Sequence, residues 1–146
     1  MQYPHGTTIA VTDGRKLRLF RNTGDELHLQ LLELPEPDVH GHERSAPRHQ
    51  HTGQDSKDRQ RLHDRRIDKQ NQEEGFEAAV AAWLNHEVLT GKIAQLFIVA
   101  PPRTLGVLRP HYHVALKEKL LGELSREHIH DKIEYLREAL RLASSP

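Results

Sequence analysis

The chain has 146 residues, no cysteine, and 21 Lys/Arg balanced by 21 Asp/Glu, so its formal charge at pH 7 is zero. One domain is expected at that length, with a lean core drawn from 36% hydrophobic residues. The composition excludes disulfides, thiolate metal sites, a cysteine nucleophile and a chain-wide basic excess for nucleic acid, and no apolar run reaches signal-core or membrane-span length, so a soluble cytoplasmic protein is expected.

Thr7–Thr12 reads as a short strand, and Asp13-Gly14 as a turn. Lys16–Arg21 alternates apolar and basic residues as a second strand, and Asn22-Thr23-Gly24-Asp25 is the next turn. Leu27–Leu34 alternates again, with Leu27, Leu29 and Leu31 on one face, and Pro35 and Pro37 stop it. Together these segments predict a three-stranded antiparallel meander.

From Glu36 the large aliphatics almost vanish, and a long mobile polar loop is expected to about residue 56. Lys57–Gln72 lacks Pro and Gly and reads as a solvated helical extension, with Gly75 interrupting or kinking it. Phe76, Ala79, Val80, Trp83, Leu84 and Val88 then fall on one helical stripe, which Gly91 ends.

Leu96–Ala100 (LFIVA) is the densest apolar run in the chain and reads as a strand buried on both faces. Pro101-Pro102 terminates it, because proline cannot donate to a sheet ladder. Thr104 is the expected N-cap of a helix carrying Leu105 and Leu108, which Pro110 must kink or restart. Leu120–Leu124 reads as a last strand. Asp131 with Glu134 resembles a capping box ahead of a final helix through Ile133, Leu136 and Leu140.

The order is three strands, helix, strand, helix, strand, helix. It predicts an α/β domain over 1–146 of ribonuclease-H-like topology: a mixed five-stranded sheet built from the meander and two βα units, with flanking helices.

Two strings carry a family resemblance. VAPPRTLGVLR (Val99–Arg109) resembles the hallmark of a bacterial family named for attachment to host cells, which is related to archaeo-eukaryotic peptide-chain release factors. IAVTDGRKLRLFRNTGDELHLQLLELP (Ile9–Pro35) is similar to the opening hairpins of the catalytic middle domain of those release factors. In that domain a Gly-Gly-Gln loop after the third strand runs into a long basic helix. The corresponding stretch here is Thr52-Gly53-Gln54, followed by Lys57, Arg59, Arg61, Arg65 and Arg66. The resemblance implies Gly53 and Gln54 as catalytic candidates. Gly53 would supply backbone freedom, and Gln54 a backbone N–H for the oxyanion of peptidyl-tRNA hydrolysis. Thr52 departs from the pattern, since a β-branched residue cannot take glycine's conformations cheaply. Lys57, Arg59, Arg61, Arg65 and Arg66 become the nucleic-acid-binding candidates, although segment 43–69 sets eight basic side chains against five acidic ones.

Arg103 and Arg109 flank the Pro-Pro loop and either bind an anion or anchor the loop to the sheet. Twelve histidines include four His-x-His pairs, His40/His42, His49/His51, His111/His113 and His128/His130, which open a metal-binding alternative. Asp13 reads as the turn residue of a hairpin rather than a metal carboxylate. The expectation is therefore no cofactor and no metal, and a release-factor-like domain without robust catalysis. It would bind the ribosome, tRNA or a protein partner through the 40–70 stretch and the Pro-Pro loop. The alternatives are a peptidyl-tRNA ester hydrolase and a histidine-rich metal-binding protein.

Overall fold

The computed structural model describes residues 2–40 and 61–144, the side chains of 61–66 excepted. Within them the elements are β1 (Thr8–Thr12), β2 (Leu17–Asn22), β3 (Leu31–Leu34), α1 (Arg61–Leu89), β4 (Leu96–Ala100), α2 (Pro102–Leu108), a 3₁₀ turn (Arg109–His111), α3 (Val114–Lys119), β5 (Leu120–Ser125) and α4 (Ile133–Ala143). The five strands form one mixed sheet in the order β3-β2-β1-β4-β5. β2 is antiparallel to both of its neighbours, and β4 is parallel to β1 and β5. This is the ribonuclease-H-like arrangement expected from the element order.

β1 and β4 lie side by side, with Ile9 opposite Phe97 and Val11 opposite Val99, and every residue of both strands is buried. A strand covered on both faces must be apolar throughout, which is why LFIVA does not alternate. The sheet separates two cores. On one face Ala10, Leu19, Ile98 and Ala100 pack with Ala79, Val80, Leu84 and Val88 of α1 and with Leu105, Leu108 and Leu116 of the α2–α3 region. On the other, Ile9, Val11, Phe20, Phe97 and Val99 meet Leu136 and Leu140 of α4. Tyr3 seals this second core edge-on to Phe97, 5.1 Å between ring centroids, and donates its hydroxyl to the Leu140 carbonyl at 2.7 Å. Burial pushes the Tyr3 phenol up to about 12.

Several local expectations are corrected. β3 is shorter than the Leu27–Leu34 alternation, because Asp25 Oδ1 accepts from the Leu27 and His28 N–H groups and turns the chain there. Leu27 is consequently exposed, while Leu29 is buried. α1 runs through Gly75 without interruption for 29 residues, about 43 Å of helix. α2 starts at Pro102 with Pro101 as N-cap, and Thr104 is buried inside the helix instead of capping it; proline at N1 forfeits nothing, since that N–H has no helical acceptor. Pro110 falls in the 3₁₀ turn, and the helix restarts as α3, capped by His113 Nδ1 accepting from Ala115 N at 2.9 Å. α4 is capped by Lys132 without a side-chain bond, because Asp131 is engaged by His128. The polar stretch beginning at Glu36 opens with packed structure: Val39 is buried, and His40 lies against the Phe76 ring. The rest of the expected loop, to about residue 56, and positions 57–60 of the expected helical extension lie outside the described residues.

Candidate functional site

The parallel strands β1, β4 and β5 point their carboxyl ends to one edge of the sheet. The Asp13–Lys16 turn, the Pro101 junction and the loop after Ser125 gather there. α1 returns to the amino end of β4, so its first half reaches past this edge. Residues 67–72 are exposed, and burial begins only as the helix meets the sheet.

At the foot of that projection a carboxylate is buried. Glu77 is fully inaccessible on α1, and the Arg103 guanidinium from α2 donates to its Oε2. Arg103 also lies 3.7 Å from Glu73, which takes Arg15 of the β1–β2 turn at 3.4 Å. Glu77 Oε1 has no hydrogen-bond partner among the described residues. Burial raises the Glu77 pKa above the ordinary carboxylate value, against the opposing pull of the Thr104 hydroxyl and Arg103. The chain thus stitches three elements together at the carboxyl edge through the α1 acids, Arg103 of α2 and Arg15 of the β1–β2 turn.

Beside this network a cleft of about 260 Å³ opens between the β1–β2 turn and α1, lined by Gly14, Arg15, Lys69, Gln72, Glu73 and Phe76. Positions 61, 65 and 69 recur every four residues along one helical face. The basic positions therefore run down α1 into a cleft whose opposite wall carries Arg15.

A family model for bacterial archaeo-eukaryotic release factor family 12 matches residues 6–140. The chain belongs to that family. The matched span includes both strings that carry the resemblance, and the whole sheet and the long helix lie within it. No curated protein matches the chain.

In this family 12 domain the expected site residues fall into three groups. Gly53, Gln54, Lys57 and Arg59 lie outside the described residues. Arg61, Arg65 and Arg66 occupy the first turns of α1. Arg103 and Arg109 are both paired: Arg103 with Glu77, and Arg109 with Glu123 of β5 through Nε and Nη2 at 3.0 and 2.7 Å. The Tyr112 hydroxyl donates to the same Glu123 at 3.1 Å, and burial raises its pKa. Each pairing ties the α2 region to a neighbouring element.

The histidine pairs diverge where they are described. His128 turns inward, its Nδ1 2.6 Å from Asp131 Oδ2, while His130 is exposed. His113 spends its Nδ1 on the α3 cap. Sequence reasoning missed Glu77, Arg15, Lys69 and Gln72. Glu77 sits one position beside the apolar stripe, and its proximity to Phe76 and Val80 was the available signal.

Proposed function

We propose that this family 12 domain works in translation as a binding module, engaging ribosomal RNA or tRNA through the basic face of α1. The observation that carries this reading is the unbroken α1: one continuous helix runs from soon after the Thr52-Gly53-Gln54 string in sequence into the domain core. A continuous helix spaces positions 61, 65 and 69 four residues apart, so phosphate contacts along it would cost little ordering entropy on binding. The Arg15–Lys69 cleft extends that track onto the body of the domain. Arg103 and Arg109 serve as anchors that hold the carboxyl edge in shape.

Co-sedimentation with ribosomes tests the reading. Full-length protein is expected in the ribosome pellet at low salt, and a 41–60 deletion is expected to lose most of it. Equal pelleting of the deletion variant contradicts it.

The position of Gly53-Gln54 shortly before α1 favours a second reading, ester hydrolysis of peptidyl-tRNA. Gly53 would free the backbone, and the Gln54 N–H would face the developing oxyanion. Thr52 weighs against it, so the binding role leads. Peptide release that is abolished by Gln54→Ala and retained by Arg103→Ala would establish catalysis. No release above the uncatalysed rate leaves the binding module alone. The narrower host-attachment kinship rests on the Val99–Arg109 string and on no structural feature beyond it.

A further inference from the structure

We infer that Asp13, Glu127 and His130 form a binding site for a divalent first-row transition-metal ion. Among the described residues, these three place one donor atom each within 4.8 Å of one another. They come from opposite ends of the sequence. Asp13 follows β1, while Glu127 and His130 follow β5, and only the fold brings them to the same carboxyl edge of the sheet. Donors around a metal bound at ~2.0–2.2 Å stand about 3–4 Å apart, so small side-chain rotations close the set.

Both halves are held from behind. Asp13 Oδ1 accepts from the Arg15 and Lys16 N–H groups at 2.8 Å each, which fixes the carboxylate and leaves Oδ2 available. The Arg18 guanidinium donates to the Ile129 and Asp131 carbonyls at 3.0 and 2.7 Å, clamping the backbone on either side of His130. Ile129 is buried beneath it, and His128 and Asp131 pin the same turn.

Charge favours a cation. Arg18 is neutralised by a two-pronged pair with Glu33 at 2.9 Å, and Arg15 leans towards Glu73. Asp13 and Glu127 are left adjacent without an ion-pair partner among the described residues. Two carboxylates and one imidazole make a mixed oxygen–nitrogen set with open coordination positions. That suits Mn²⁺ or Zn²⁺ rather than the thiolate-seeking ions. The inference revises the expectation of no metal, and it is independent of RNA binding. Asp13 keeps its turn role through Oδ1 and adds a ligand through Oδ2.

The probe is Mn²⁺ titrated into the full-length, untagged chain, with free ion followed by electron paramagnetic resonance. Mn²⁺ is chosen because imidazoles alone, as the His-x-His sequence pairs at 40/42 and 49/51 would offer, hold it weakly. One saturable equivalent is expected. His130→Ala and Glu127→Gln should each weaken it about tenfold or more, since even residues behind a ligand commonly cost that much. His49→Ala/His51→Ala should leave it unchanged. Both His130 and Glu127 are exposed, so metal-free melting of their variants should match the parent. No saturable equivalent, unchanged affinity in both ligand variants, or loss in the His49/His51 variant overturns the site.

Discussion

Glu77 is a carboxylate held where burial works against its charged form. A carboxylate removed from water resists ionisation, and its pKa in the fold is raised. The unfolded chain then releases this proton at lower pH than the folded one. The Glu77 contribution to stability is therefore full below the ordinary carboxylate value and is lost as pH rises towards the raised folded value. Glu77→Gln should flatten the pH dependence of urea unfolding across the mildly acidic range, and an unchanged slope would contradict this. Arg103→Ala leaves Glu77 without its cation and should cost about 1–3 kcal/mol at neutral pH, read from the shift in urea midpoint. No sequence pattern announces such a pair, because Glu77 and Arg103 lie on different elements and each reads alone as a solvated charge. The same holds for Asp13 with Glu127 and His130. Asp13 was legible as a turn residue from Asp-Gly, but its neighbours across the sheet were not.

At the scale of elements, long one-sided or fully apolar patterns were legible and short capping signals were not. LFIVA and the Ala79–Val88 stripe formed where expected, since burial of several apolar side chains outweighs local alternatives. Thr104 and Asp131 failed as caps for different reasons. A proline already supplies a fitting start for α2, and Asp131 prefers the His128 imidazole. Leu27–Leu34 failed in its first half because an Asx turn satisfied the backbone locally. Ile98 is wholly buried in β4, and Ile98→Ala should cost about 2–5 kcal/mol in chemical denaturation; a loss under 1 kcal/mol would contradict its central place. Gly75 breaks no helix, and a Cβ added there meets nothing within 4 Å. Gly75→Ala should accordingly stabilise the domain by roughly 0.5–1 kcal/mol, measured the same way. Destabilisation instead would mean that α1 bends at this residue.

At the scale of the whole molecule, the element order carried the topology. Three antiparallel strands followed by alternating helix and strand leave few right-handed, short-connected arrangements, and the observed sheet is one of them. Which helix covers which face was not readable, since α1 and α4 both present apolar stripes; the packing places α1 to α3 on one side and α4 alone on the other. The functional consequence is a division of labour. The two cores build the body of the domain, and α1 leaves it as a stem carrying the basic positions that the proposed RNA contact would use. A zero net charge fits this, because phosphate attraction confined to one stripe does not require a basic chain.

The most direct test is the salt dependence of ribosome binding for the full-length protein and its Arg61→Glu/Arg65→Glu/Lys69→Glu variant. The expected result is binding that weakens steeply with salt in the parent. In the variant the affinity should fall at least tenfold, with a slope in log salt shallower by about 2–3, close to one phosphate contact per cation removed. A parent that does not bind, or a variant with the parent's affinity and slope, would contradict a translation role exercised through α1.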